Sequence, residues 1–133
     1  MRAVDLIEKL ARERPEWIQP HRKRLIGSLA QHGAWEVRLQ VARALPLLCW
    51  TAAERKRAVA ILLGYARHPQ RFVKAWSVDS LSQFAAHDAS LLPVVEALIE
   101  DFERSASPAL ISRARQIRQR LRSAAATTEP RGP

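Results

Sequence analysis

Apolar residues recur along this chain at about every third or fourth position, and no stretch alternates as a strand would. Residues 2 to 13 set Val4, Ile7, Leu10 and Ala11 at helical spacing, with Arg2, Asp5, Lys9 and Arg12 between them, which predicts a first helix. Arg14 and Pro15 end it, because proline disfavours the α conformation of the residue before it and cannot continue the hydrogen-bond ladder. A second helix follows from Pro15, with Pro20 as a kink or as its true start, an apolar face of Leu25, Ile26, Leu29 and Ala30, and Gly33 as its C′ residue. The third runs from about Ala34 to Leu48 on a stripe of Val37, Val41, Leu45 and Leu48, with Pro46 bending it or ending it early.

Thr51 and Glu54 have the spacing of a capping box and open a fourth helix carrying Val59, Ile61, Leu62, Leu63 and Tyr65. His68 and Pro69 close it, and Pro69 is suited to be the first residue of the fifth helix, whose line is Val73, Ser77, Leu81 and Phe84 with Val78 beside it. Asp88 or Ser90 caps the sixth, apolar at Leu91, Leu92, Val94, Val95, Leu98, Ile99 and Phe102. Ser107 and Pro108 open the seventh, with Leu110, Ala114, Ile117 and Leu121 on one face. From residue 124 to 133 the periodicity stops, which predicts a disordered tail after a single domain over 1–123.

Shifted by about 36 residues, the chain partly overlays itself: Val37 and Arg38 meet Val73 and Lys74, Ala42 meets Val78, Leu45 meets Leu81, and His32 meets His68. A further equal shift brings Ala109, Ala114 and Ile117 into line and puts Leu110 at the basic position of Arg38 and Lys74. A period in the thirties carried by helix pairs is the mark of a helical solenoid, whose hairpins bury their apolar faces by stacking. Here the chain resembles the HEAT-repeat family over about residues 20 to 123. Gly33 to Arg38, followed by Val41, Ala42 and Leu45 to Leu48, looks like the second helix of such a repeat, and Leu91 to Val95 looks like the proline-containing first helix of a later one. The aspartate often found in the turn before the arginine is absent.

The resemblance implies an all-α, right-handed superhelix of about three hairpins with an additional N-terminal helix. It also implies a concave face lined by the second helix of each pair, which would present Arg38, Arg43, Lys74, Trp76, Asp79 and Arg115 to a partner. The expected role is therefore a non-enzymatic scaffold that binds another protein, with no cofactor.

Composition adds a second possibility. The formal net charge of +9 permits attraction to nucleic acid, acidic proteins or anionic lipid. Arg22, Lys23 and Arg24, then Arg55, Lys56 and Arg57, stand near the starts of two first helices, where positive charge opposes the helix dipole. Arg118 and Arg122 share a face of the seventh helix with Arg115. These residues form a candidate anion-binding edge for nucleic acid, and the plain alternative is a solvated capping face. Glu96, Glu100, Asp101 and Glu103 are near enough in sequence to pair with the arginines instead.

The remaining candidates are structural. His32, His68 and His87 fall at helix ends, where a partly protonated ring suits the dipole, and none has the i+3 or i+4 partner of a helical metal motif. Cys49, the one cysteine, excludes an internal disulfide, suits a reducing cytoplasm and is expected as a buried structural residue. Trp76 and Asp79 are loosely similar to a tryptophan and aspartate of HEAT-like alkylpurine glycosylases, a third and weaker option beside inter-repeat packing. No apolar run approaches the ~20 residues that span a bilayer.

Overall fold

Alanine, leucine and arginine favour helix in almost every window, and the backbone follows them. A computed structural model describes residues 6–128, with side chains to residue 125, and all regular structure among these is helical. The helices are α1 (Leu6–Glu13), α2 (Pro15–Ile18), α3 (Arg22–Leu25), α4 (Trp35–Ala44), α5 (Ala52–Tyr65), α6 (Arg71–Ala85), α7 (Leu92–Glu103) and α8 (Pro108–Thr128). A 3₁₀ turn, Gln19–His21, joins α2 to α3, and this broken stretch stands where the second helix is expected, so the seven expected helices are all present. Val4, the first residue of the expected apolar stripe of α1, lies outside the described residues, as does the terminal EPRGP. The helix expected to stop at Ser123 continues to Thr128, since three consecutive alanines from Ala124 are the best helix formers available.

Pro20 lies in the 3₁₀ turn, and the α-helix that follows ends at Leu25, well short of Gly33. Gly33 is not a left-handed cap, because no described glycine has positive φ. The glycine that matters is Gly27. A Cβ built there lies 2.9 Å from the Lys23 carbonyl oxygen, closer than a backbone atom tolerates, whereas one at Gly33 meets nothing within 4 Å. Gly27→Ala is therefore expected to destabilise by about 1–3 kcal/mol in urea denaturation, and Gly33→Ala to be neutral or to stabilise by a few tenths up to about 1 kcal/mol.

Caps elsewhere follow side-chain chemistry. The Thr51 hydroxyl accepts from Glu54 N–H at 3.2 Å while the Glu54 carboxylate accepts from Thr51 N–H at 3.0 Å, completing the expected capping box. Helix α6 begins at Arg71 rather than Pro69, because Gln70 Oε1 takes the amide protons of Phe72 (2.6 Å) and Val73 (3.0 Å).

The turn inside each hairpin repeats. His32 Nδ1 accepts from Ala34 N–H and His68 Nδ1 from Gln70 N–H, both at 3.0 Å and 36 residues apart. Ser105 Oγ accepts from Ser107 N–H at 2.9 Å in the same arrangement, but 37 residues after His68. Buried Leu48 likewise precedes buried Phe84 by 36 residues, whereas the caps Thr51 and Asp88 are 37 apart. The third hairpin is thus offset by one residue from the expected register. Leu110 occupies the buried place of Val37 and Val73, and Ile111 stands at the position of Arg38 and Lys74. His32 and His68 thus accept through Nδ1 from the start of the following helix.

Packing divides the chain into two compact units, one ending at Leu81 and the other beginning at Ser82, both within α6. In the first, Leu25, Val41, Leu45, Leu62, Val73 and Val78 are fully buried or nearly so. Gln19 clamps the end of the α4 region by a two-way bond to Cys49, donating to its carbonyl at 2.6 Å and accepting its amide proton at 2.9 Å. In the second, Val95, Ile99 and Phe102 of α7 and Leu110, Ala114 and Ile117 of α8 form the core.

Candidate functional site

The expected partner-binding residues fall in different surroundings. Helix α1 holds α4 on the side carrying Gln40 and Arg43: Glu8 N–H donates to Gln40 Oε1 at 3.2 Å, and the Glu8 carboxylate lies 3.5 Å from Arg43 and 3.1 Å from Arg12. The Arg43 guanidinium also stacks on Trp76, 4.4 Å from the ring centroid. Two of the expected partner-binding residues thus meet each other. Asp79 is fully buried instead of presented to a partner or solvated, a correction that also removes it from any surface where a nucleic-acid base could reach it. Lys74 is half-buried, and Arg115 is exposed on α8 in the second unit.

The reason lies in α6, which is buried on nearly all sides. Ser77, Ser80 and Ser82 are buried along with Asp79, and the hydroxyls of Ser80 and Ser82 carry their hydrogen bonds inward. Ser80 Oγ donates to the Ala42 carbonyl at 2.7 Å, and Ser82 Oγ accepts from Arg120 at 3.2 Å. The Ser77 hydroxyl has no partner among the described residues. Of the three α6 residues expected to face a partner, Asp79 is buried while Lys74 and Trp76 are partly exposed.

The basic edge is also partly spent. Arg22 Nε donates to Glu54 at 3.0 Å, and Glu54 is held below its usual pKa first by the Thr51 backbone hydrogen bond and then by Arg22. Arg118 forks onto Glu103 at 2.7 and 2.8 Å and reaches Glu96 at 2.9 Å, so the hydrogen bond from Arg118 keeps Glu103 below the usual carboxylate range. Arg22 and Arg118 are therefore corrected from anion ligands to internal ion pairs. Lys23, Arg24, Arg55 and Lys56 are exposed in the first unit, and no carboxylate pairs with them among the described residues. Arg122 is exposed in the second unit and acts on Glu103 only through space.

Two features stand out that sequence reasoning missed. The first is a cleft of about 430 Å³ lined by Ile26, Ala30, Gln31, Arg38, Arg57, Ala60, Ile61, Gly64 and Tyr65. Arg38 Nε donates to the His32 carbonyl and Arg57 Nε to the Ile26 carbonyl, each at 2.7 Å. The Arg38 guanidinium lies 5.8 Å from the centre of the Tyr65 ring, and the Tyr65 hydroxyl donates to the Ala30 carbonyl at 2.5 Å. Burial pushes the Tyr65 pKa up to about 12, against the opposing pull of Arg38. Burial, then Arg38, lowers that of His68. The bonds that gather this cleft join residues about thirty positions apart, which no local spacing announces.

The second is an exposed aromatic ledge. Trp35, in the first turn of α4, stacks on Phe72, in the first turn of α6, with centroids 6.3 Å apart and planes at 27°. They are 36% and 43% exposed, and Arg71 lies over Phe72 at 5.3 Å.

Cys49 is exposed, not buried, because the 3₁₀ turn Leu45–Leu47 ends in extended Leu48 and Gln19 holds the Cys49 backbone from the inside. Among the described residues no group of three or more His, Cys, Asp or Glu is placed to hold a metal ion, and no helix is long and apolar enough to cross a membrane. Compared with protein-family models, curated proteins and solved structures, the chain finds no match.

Proposed function

We propose that this chain is a non-enzymatic, cytoplasmic interaction module built from HEAT-like hairpins stacked as a right-handed superhelix, and that it docks a protein partner on the Trp35–Phe72 ledge. The exposed stacked pair carries the reading. Large apolar rings left in water at one place mark interaction surfaces, and tryptophan and arginine are the side chains that most often dominate such contacts. Arg71 on the ledge has no carboxylate partner among the described residues, and the net charge is +9, so the complementary segment presents an apolar side chain flanked by acids. This shifts the expected docking surface from the middle of the second helices to their first turns. The local repetition of the hairpin turn supports the HEAT-like reading of the fold.

Both rings are exposed, so Trp35→Ser with Phe72→Ser should leave the helical circular dichroism intact. In affinity capture from the native lysate, the double variant is expected to lose a partner that the wild type retains, by tenfold or more. Identical captured proteins for both would refute the ledge. Nucleic acid is the second reading, favoured by the exposed Lys23, Arg24, Arg55 and Lys56, which no acid neutralises among the described residues. It requires binding of DNA or RNA that weakens steeply with salt, as counterion release dictates, and absence of binding at low salt removes it.

A further inference from the structure

We propose that the cleft between Arg38, Arg57 and Tyr65 is a binding site for a small organic oxyanion, a carboxylate or phosphate monoester carried on an apolar or aromatic body. This inference does not depend on the ledge or on any protein partner.

Arg38 and Arg57 are the side chains that set the charge of the cleft. Each donates its Nε to a backbone carbonyl, of His32 and Ile26, at either end of one short segment. Each Nε bond restrains its guanidinium, and the N–H groups of the terminal nitrogens are left without a protein acceptor among the described residues. Neither arginine meets a carboxylate among the described residues, in contrast to Arg22, Arg43 and Arg118, which each do. Two fixed cations in one recess repel each other, and an oxyanion relieves that repulsion while matching the fork of each guanidinium.

The rest of the lining defines the body of the ligand. Ile26, Ala30, Ala60 and Ile61 offer aliphatic surface, and the Tyr65 ring offers an aromatic wall. The Tyr65 hydroxyl is committed to Ala30, so the ring contributes its face and no free donor. At about 430 Å³ the cleft lies in the ~300–1,000 Å³ range of small-molecule sites and is far larger than a bare phosphate. An inorganic anion would leave the apolar wall wet, whereas an anion with an attached ring or alkyl chain covers it.

The test titrates the full chain by calorimetry with 3-phenylpropionate, with phenyl phosphate and with the uncharged 3-phenylpropanamide. Saturable binding of at least one of the two anions and none of the amide is expected, and the tighter of the two identifies the head group. Arg57→Gln is expected to weaken that binding at least tenfold. Ala60→Trp, at an exposed helical position in the cleft lining, fills the cleft while both arginines remain in the chain, and is expected to abolish binding while the helical circular dichroism is unchanged. Should Arg57→Gln fail to fold, Ala60→Trp decides. No saturable binding of either anion at millimolar concentration, equal binding of the amide, or anion binding indifferent to Ala60→Trp overturns the site.

Discussion

Leu62→Ala is expected to lower the unfolding free energy by about 2–5 kcal/mol, against about 1 kcal/mol or less for Leu63→Ala, its neighbour in sequence. Leu62 is fully buried in the first unit, and its truncation leaves a cavity that close-packed neighbours fill only in part. Leu63, one position on, is half-buried and leaves its space to water. A small helical domain has only ~5–15 kcal/mol in hand, so the first variant loses a large share of its stability. Urea denaturation of both variants checks this, and equal losses would mean that α5 is rotated from the orientation described. The contrast is informative because α5 reads Val59, Ala60, Ile61, Leu62, Leu63 without a polar break, and periodicity alone does not choose among them.

Tyr65→Phe is the second large effect. It removes the donor to the Ala30 carbonyl and leaves that oxygen buried without a partner, at a cost of about 1–3 kcal/mol near neutral pH. Burial of the same side chain gives wild type an alkaline limit. Tyr65 holds its proton to about pH 12, above the ordinary value of 10, because burial disfavours the phenolate. The folded-state pKa is raised, so the stabilisation is fully present below about pH 10 and is lost as the pH rises toward 12. Because this is the chain's one tyrosine, its ionisation can be followed directly by tyrosinate absorbance. The difference in stability between wild type and Tyr65→Phe should shrink between pH 10 and 12, and a tyrosine titrating near 10 would show that it is not buried as described.

Much of the helical framework was legible because its signals are local. The capping box of Thr51 and Glu54 and the Ser107–Pro108 start are short-range chemistry, and the structure places both where spacing puts them. Faces were less legible. Asp79 reads as a residue that α6 presents to a partner, yet it is buried, and Ser80 and Ser82 are buried with it, because a serine bonded to a buried carbonyl is indistinguishable in sequence from one facing water. The candidate cleft was not legible. Arg38 and Arg57 belong to different expected groups, and what joins them is a pair of backbone carbonyls near Gly27, where the chain leaves the helix earlier than its apolar stripe suggests.

The change from 36 to 37 residues between successive hairpins says where a chain of this kind can grow. The turn within a hairpin is a closed ring of atoms, with an acceptor side chain bonded to the amide two residues on, and its length has no slack. The additional residue falls between Phe84 and Asp88, after one hairpin is complete and before the next is capped. Those joints are the natural cut points for duplication or grafting. Copies inserted there carry their own His or Ser latch intact, whereas a copy cut at the latch would have to rebuild it.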